Sequence, residues 1–242
     1  MAKRKSRAKT SAAPAPRPLW RRPLVWFGRG MAMVAAFYGL LIVLFSFLPP
    51  PGNFYQWQES ARLGGIRREW VRWDQIAPEM GRSAVAGEDA NFCLHWGFDM
   101  AQIRDAIKHG EQRGASTISQ QVVKNVFLWQ GRSYLRKAME AALTPIVELM
   151  WSKQRILEVY LNEAEFSEGV FGVQAAAQAL FNTDAAHLTP GQAARLAAVL
   201  PSPKERNAAK PSAFVRARAA KIMSGAETIE ADGRAACFET AD

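Results

Sequence analysis

Cysteine is scarce in this sequence, and its scarcity excludes several classes of protein. The 242 residues contain only Cys93 and Cys237. A disulfide-rich scaffold needs more cysteines than two, and no cysteine or histidine spacing resembles a zinc site. Because Cys93 lies inside a motif and Cys237 lies among the last few residues, we expect the two cysteines not to pair.

Excess charge is also missing from most of the chain. The formal net charge is +9, but residues 1–30 hold nine Lys or Arg residues and no Asp or Glu. The remaining residues hold 22 basic and 22 acidic groups and are formally neutral. A nucleic-acid-binding domain carries its excess charge on the folded part, so we expect no nucleic-acid partner. The hydrophobic fraction of 49% allows a real core and excludes wholesale disorder.

An apolar run without charged residues extends over residues 31–48. As a helix it would span about 27 Å, close to the hydrocarbon thickness of a bilayer. A cleaved signal peptide usually has a shorter apolar region and a small-x-small cleavage site, which Phe47-Leu48-Pro49-Pro50 does not provide. We therefore predict one retained transmembrane helix. The positive-inside rule places residues 1–30 in the cytoplasm, where they meet acidic lipid headgroups, and residues 49–242 outside, in the periplasm.

The exported part shows mainly helical patterns. Residues 49–66 are predicted to be a linker and membrane-surface segment, 67–223 a folded domain, and 224–242 a poorly ordered tail. No alternation of strands and helices occurs, which argues against a parallel α/β sheet. Caps and apolar spacing predict helices at Asp99 to His109, from Ser116 or Thr117 to Leu128, Ser133 to Trp151, Lys153 to Leu161, Gly172 to Phe181, from Thr189 to Leu200, and Ser212 to Met223.

The densest group of reactive side chains lies between Glu88 and Asp99. It contains three carboxylates, a histidine and large aromatic residues. Charges among aromatic rings are costly unless they are satisfied or used in function. A satisfied loop with Asp99 as a helix cap is the structural alternative for this segment.

Two further clusters follow along the chain. Residues 114–121 place a glycine turn and two hydroxyls at a helix start, with Lys124 after them, which suits an anion. Arg132, Arg136 and Glu140 are spaced four apart and share a helix face. A capped amphipathic helix and surface ion pairing are the structural alternatives for the two clusters.

Together the three clusters fit glycosyl transfer from a phosphate leaving group. Glu88 and Glu140 are the candidate carboxylates, and several cations lie near them in sequence. A general base must take the proton of the attacking hydroxyl, and cations must stabilise charge that builds up on the diphosphate. A divalent ion often assists such a leaving group, and the membrane anchor suits a lipid-borne substrate.

At this point the sequence resembles the peptidoglycan glycosyltransferases of family 51, most closely their monofunctional biosynthetic members. The resemblance covers roughly residues 67–223 in five ordered motifs. The family's ED-x-x-F-x-x-H-x-G motif matches Glu88, Asp89, Phe92, His95 and Gly97; G-x-S-T-I-x-Q-Q matches Gly114, Ser116, Thr117, Ile118, Gln120 and Gln121; R-K-x-x-E matches Arg136, Lys137 and Glu140; K-x-x-I-L-E-x-Y-L-N matches Lys153, Ile156, Leu157, Glu158, Tyr160, Leu161 and Asn162; and the glycine-alanine motif matches Gly169, Gly172, Ala175 and Ala176.

The resemblance implies a mostly α, lysozyme-like helical glycosyltransferase domain with a small membrane-associated lobe. Glu88 would be the general base that activates the 4-hydroxyl of the acceptor lipid II, and Glu140 would stabilise the donor diphosphate, with Mg²⁺ or another divalent cation and no organic cofactor. The donor would be the lipid-linked glycan chain, and the product an inverted β-1,4 linkage. Glu158 would be structural. The implied substrate-binding residues are Asp89, Phe92, His95, Ser116, Thr117, Gln120, Gln121, Lys124, Asn125, Arg132, Arg136 and Lys137.

The sequence departs from the family pattern in two places. Leu180-Phe181-Asn182 stands where relatives often have Tyr-Phe-Gly, and Met139 stands where they are often basic. The transpeptidase domain of bifunctional relatives is not expected, because the only S-x-x-K string lies in the basic tail and no K-T-G occurs.

Two other functions are compatible with parts of the sequence. A lysozyme-like hydrolase would also use acidic residues on a helical fold, but it would need neither an anchor nor phosphate-binding cations. A non-catalytic scaffold among cell-wall synthesis and division proteins would tolerate the loss of Glu88. Polymerisation of purified lipid II separates the three functions.

Overall fold

A computed structural model describes residues 21–109, 116–131 and 133–239. The described residues form eleven α-helices and three short strands. The helices are α1 (Arg21–Phe47), α2 (Phe54–Leu63), α3 (Pro78–Glu88), α4 (Met100–His109), α5 (Ile118–Phe127), α6 (Tyr134–Met150), α7 (Lys153–Glu163), α8 (Val173–Phe181), α9 (Pro190–Val199), α10 (Ala213–Ala231) and α11 (Ala236–Glu239), and the strands are β1 (Arg67–Arg68), β2 (Glu165–Ser167) and β3 (Val170–Phe171). The prediction of a mostly helical protein is confirmed.

Helix α1 contains the apolar segment that the sequence predicted to cross a membrane. Val25–Phe47 has a mean hydropathy of 2.2 and is long enough for a span, and it buries little of its surface within the protein. Residues up to Leu41 and residues from Ile42 onward form two compact units. One N-terminal helix is therefore compatible with a single-pass anchor.

The last turn of α1, which belongs to the second unit, is fixed by a side chain of α7. The carbonyl of Phe45 would normally accept a hydrogen bond from the N–H of residue 49, but Pro49 has no N–H. Arg155 replaces it by donating to the Phe45 carbonyl at 2.9 Å and to the Leu48 carbonyl at 2.7 Å. The guanidinium therefore satisfies the Phe45 carbonyl that Pro49 leaves unpaired, together with the Leu48 carbonyl just beyond the helix end.

The core of the second unit has two centres of packing. Helices α3, α9 and α10 pack on one another, and α5 packs between α6 and α7. The alanines of α9 are fully buried, which lets neighbouring helices approach closely. Large side chains fill the rest, each contributing about 1.5–3 kcal/mol when fully buried. The fully buried ones include Met80, Phe92, Ile118, Ile156, Leu157, Phe166 and Leu196.

Helix starts agree closely with the sequence signals. Thr117, Ser133 and Ser212 accept hydrogen bonds from the backbone of the first turn of α5, α6 and α10. Thr189 forms the predicted capping box with Gln192, and proline occupies the first turn of α9. These starts are set by local side-chain bonds, so they could be recognised without tertiary information.

The three strands form one small sheet with the order β1-β3-β2. β1 runs parallel to β3, with Arg67 opposite Val170, and β2 runs antiparallel to β3. Gly172 follows β3 with φ +85°, and a Cβ there would lie 3.0 Å from the carbonyl oxygen of Asn162. Glycine is therefore required at this junction between the sheet and α8.

The prediction of a linker over residues 49–66 needs correction, because most of this segment forms helix α2. Asn53 caps this helix, and its side-chain nitrogen donates to Glu163 at 2.8 Å. Gln56 donates to the same carboxylate at 2.9 Å. The segment was misjudged because its prolines and glycines flank the helix, while the contacts that hold it come from α7.

The predicted disordered tail over residues 224–242 is also wrong as far as residue 239. Helix α10 continues to Ala231, because Ile222, Ala226 and Ile229 are buried at helical spacing. Apolar residues are few in this weakly acidic stretch, so its sequence did not indicate a helix.

The expectation that the cysteines stay unpaired is wrong too. Cys93 and Cys237 form a disulfide with a Cα–Cα distance of 5.8 Å, across 144 residues of sequence. Helix α11 folds back onto the 3-10 turn Phe92–Leu94, and this tertiary contact brings the two together. Sequence position alone carries no information on that distance.

Candidate active site

Glu88 is the last residue of α3 and lies almost buried beside two donors. The amide of Gln121 on α5 donates to its Oε2 at 3.1 Å, and Nη2 of Arg218 on α10 lies 3.6 Å from its Oε1. Burial raises the pKa of Glu88, and the Gln121 hydrogen bond, Arg218 and Arg206 oppose that rise. A carboxylate with a raised pKa and restrained oxygens is suited to accept a proton near neutral pH.

Asp89 connects the loop after Glu88 to the start of α5. Its Oδ1 lies 2.8 Å from Nε2 of His95, and its Oδ2 accepts the backbone N–H of Ile118 at 3.0 Å. Because Asp89 is 2% exposed, it holds the first two motifs together from inside the protein.

Phe92, Thr117 and Gln120 are buried as well. The Thr117 hydroxyl donates to the carbonyl of Gly97 at 2.7 Å, and Gln120 closes the capping box of α5. These three buried side chains hold the loop and the helix start that form the site. Ser116, at the same helix start, is exposed. Their contact with substrate stays a prediction.

A groove opens along α5 next to this framework. It has a volume of about 310 Å³, and α5 contributes Gln121, Lys124 and Asn125 to its lining. Further lining residues come from α2, from the end of α7 and from the segment after α9, among them Asn53, Tyr55, Tyr160, Glu163, Ser202 and Lys204. Gln121 thus both lines the groove and binds Glu88, so the carboxylate lies one side chain away from the groove lining.

Lys124 on α5 is influenced by the charges of both candidate carboxylates. Burial lowers the pKa of its ammonium group, while the charges of Glu140 and Glu88 act to raise it. Arg136 and Lys137 also repel it. Lys124, which lines the groove, is therefore coupled electrostatically both to Glu88 and to the charged side chains of α6. Cations at a partly buried position stabilise a diphosphate more strongly than they would in water.

Glu140 on α6 is buried among these cations. Arg136 donates to its Oε2 at 2.7 Å, and Lys137 binds its Oε1. Both carboxylate oxygens are thus paired with cations of α6, and a divalent cation near Glu140 stays a prediction. Elsewhere in the described part of the chain, Asp89, His95 and Asp99 form a cluster of two carboxylates and a histidine. The carboxylate oxygens of this cluster already accept hydrogen bonds from the loop and from the backbone at the start of α4.

Some of the predicted residues lie outside the described residues. These are Arg132 and Gly114, together with the first part of the basic tail. The structure therefore brings together Glu88, Gln121, Lys124, Asn125, Arg136, Lys137 and Glu140, and leaves the position of Arg132 open.

The sequence did not point to four residues of this region. Arg218 and Arg206 act on Glu88 from α10 and from the segment after α9. Tyr55 and Lys204 line the groove, and burial together with the Glu165 hydrogen bond raises the pKa of Tyr55 to about 12. The only signal was a second basic run at residues 204–221, which looks like an ordinary solvated helix face.

Comparisons with known proteins identify the family of the chain. The transglycosylase family model matches residues 57–227. A biosynthetic peptidoglycan transglycosylase of Jannaschia sp. (strain CCS1) is 56% identical over 238 residues, which cover 98% of this chain and 99% of that protein. Proteins of the same name from Pseudomonas syringae pv. tomato and Pseudomonas putida KT2440 are 45% and 46% identical, covering 87% and 83% of this chain and 91% and 86% of their own lengths. With a family match over most of its length and relatives of this similarity from end to end, the chain belongs to the transglycosylase family.

Proposed function

We propose that this peptidoglycan glycosyltransferase polymerises lipid II into β-1,4-linked glycan strands, with inversion and release of undecaprenyl diphosphate. One observation carries the proposal: Gln121 and Lys124, neighbours on α5, line one groove, and Gln121 binds Glu88 while the charges of Glu88 and of the Glu140 cluster both act on Lys124. A base at one point and positive charge at another are the two requirements of glycosyl transfer from a diphosphate.

Glu88 acts on the acceptor. The 4-hydroxyl of the acceptor sugar gives its proton to the Glu88 carboxylate as its oxygen attacks the anomeric carbon of the donor. Attack from the face away from the leaving group gives the inverted β linkage. Burial raises the pKa of Glu88, so the carboxylate is a stronger base than one in water.

The cations act on the donor. The bond between the anomeric carbon and the diphosphate breaks, and Lys124, Arg136 and Lys137 stabilise the negative charge that the leaving group gains. Glu140 holds Arg136 and Lys137 in place through both of its oxygens. Removing the Glu140 charge would end this pairing and leave Arg136 only its hydrogen bond to the Gly131 carbonyl at 2.9 Å, so we expect Glu140→Gln to impair transfer severely.

The membrane surface suits the proposed substrate. Besides α1, helix α6 exposes the apolar side chains of Tyr134, Leu135, Ile146, Leu149 and Met150. A face of this kind on the helix that carries Glu140 would contact lipid, where the undecaprenyl chain resides. We propose a single-pass protein of the inner membrane with its N-terminus in the cytoplasm, which protease accessibility of the catalytic domain in spheroplasts tests.

The function is tested with purified full-length protein, lipid II in detergent and Mg²⁺, followed by gel analysis of the glycan chains. We expect long chains from the wild type and a loss of about 10²–10⁴-fold for Glu88→Gln. Glu227→Gln is the matched control, because Glu227 is exposed on α10 and away from the groove. Near-normal chains from Glu88→Gln would contradict the assignment.

The same assay separates the other functions. Release of sugar from finished peptidoglycan without polymer would indicate a hydrolase, and absence of both products in the wild type would indicate a scaffold. The predicted need for a divalent cation is tested by adding EDTA, which should lower the rate until Mg²⁺ is restored. An unchanged rate in EDTA would contradict that prediction.

A further inference from the structure

The last described residues fold back over the loop that follows the candidate base. We call residues 232–239 the C-terminal clasp. Its Cys237 is bonded to Cys93 in the 3-10 turn of that loop. Phe238 is fully buried, with its ring centroid 6.4 Å from that of Phe92. Arg234 donates to the carbonyl of Ala90 at 2.9 Å.

The clasp also contacts α3, the helix that ends in Glu88. Arg82 in the middle of α3 donates to Glu239 of the clasp at 2.5 Å, and it also pairs at 2.7 Å with Glu230 in the last turn of α10, just before the clasp. A Cβ at Gly81 would lie 3.6 Å from the Phe238 ring, so the clasp packs directly on the α3 backbone. The clasp thus contacts both segments that flank Glu88.

This arrangement restrains the segment that presents the carboxylate. Glu88 ends its helix, and the chain turns at once into the loop that contains Asp89 and Cys93. Arg218, which faces Glu88, lies on α10, the helix that leads into the clasp. The disulfide ties the loop covalently to the end of the same chain segment that carries Arg218.

We propose that the C-terminal clasp positions Glu88, and that the Cys93–Cys237 disulfide locks the clasp so that turnover depends on its oxidation. The proposal rests on the function proposed above for Glu88. The cysteines act as positioning residues and take no part in the chemistry. A displacement of about 1 Å at a reacting group can cost up to about 100-fold in rate, so even small freedom of the loop is measurable.

The compartment is compatible with such a lock. Outside the cytoplasmic membrane, disulfides form and persist, whereas in the cytoplasm they are kept reduced. Opening the bond takes two electrons and two protons, which dithiothreitol supplies while it becomes a cyclic disulfide. The products on the protein are the thiols of Cys93 and Cys237.

The test uses full-length protein in detergent and the lipid II assay. Variants are Cys93→Ser, Cys237→Ser and the double substitution. We expect kcat to fall roughly ten-fold in all three, with KM within about two-fold, because orientation is lost and binding is kept. Dithiothreitol should reproduce the fall in the wild type, oxidised glutathione should reverse it, and the double variant should respond to neither.

A purely structural bond would behave differently. It would lower the unfolding temperature and leave kcat unchanged at a temperature where circular dichroism shows every variant folded. Wild-type kcat in the folded double variant would overturn the proposal, as would two free thiols in the unreduced protein. Arg234→Ala should lower kcat in the same way, and Arg216→Ala is its matched control because Arg216 also donates to a carbonyl but lies exposed outside the clasp. Failure of the proposed function would appear as an inactive wild type, which none of these outcomes resembles.

Discussion

Gly97 offers a direct test of how the first motif packs on the helix that carries Glu140. Its φ is +79°, and a Cβ there would lie 2.5 Å from Cγ2 of Thr144 and 3.2 Å from Cγ of Glu148. Thr144 is buried one turn after Glu140, and its hydroxyl donates to the Glu140 carbonyl at 2.7 Å. Gly97→Ala therefore pushes a methyl group into α6 at the turn that follows Glu140.

The expected cost has two parts. Left-handed backbone costs an alanine about 1–2 kcal/mol, and overpacking of a filled core costs about 1–3 kcal/mol. Gly97→Ala should thus lower the free energy of unfolding by about 2–5 kcal/mol. Thr144→Ser keeps the hydroxyl and removes the methyl that is struck, at a cost of about 1 kcal/mol by itself.

The double variant Gly97→Ala with Thr144→Ser should recover at least about 1 kcal/mol relative to the sum of the single variants, since the clash with the Thr144 methyl is gone while the tight contact with Glu148 and the backbone strain remain. Guanidinium unfolding of the full-length protein in detergent, followed by tryptophan fluorescence, measures all four proteins. Additivity within about 0.5 kcal/mol would refute the packing between motif and helix. Polymerisation rates of the four proteins should follow the same order, because Glu140 lies one turn away.

Two further predictions concern arginines. Arg218→Gln removes a positive charge beside Glu88, so the pKa of Glu88 should rise further; because the base must be ionised, the acidic limb of the pH–rate profile should move to higher pH, and an unmoved limb would argue against their contact. Arg155→Ala leaves the Phe45 and Leu48 carbonyls unpaired, which should destabilise the protein by about 3–5 kcal/mol in thermal unfolding, with Arg155→Lys in between; an unchanged unfolding temperature would show that the end of α1 is not held there.

The helical fold was largely predictable because its signals are local. The side chains of Thr117, Ser133, Thr189 and Ser212 each accept a hydrogen bond from the backbone N–H three residues further on and so cap their helices. Such bonds depend on neighbouring residues alone, so the sequence carries them in full. The same holds for the apolar run of α1.

Features that depend on distant contacts were missed. Helix α2 is held by Glu163, and the clasp by Cys93, each more than 100 residues away. Arg218 reaches Glu88 only because α10 packs on α3. For this reason only part of the candidate site could be predicted from the sequence. The motifs identified the carboxylates, but the side chains that face them from other helices follow only from the packing.

The central claim is that Glu88 removes the proton of the acceptor hydroxyl beside the groove that Gln121 and Lys124 line. Single-turnover transfer at saturating lipid II, measured beside lipid II binding, separates chemistry from affinity. For Glu88→Gln we expect the rate of transfer to fall at least about 100-fold while the dissociation constant stays within about three-fold of the wild type. A transfer rate close to that of the wild type, or a loss that lies wholly in binding, would contradict the account.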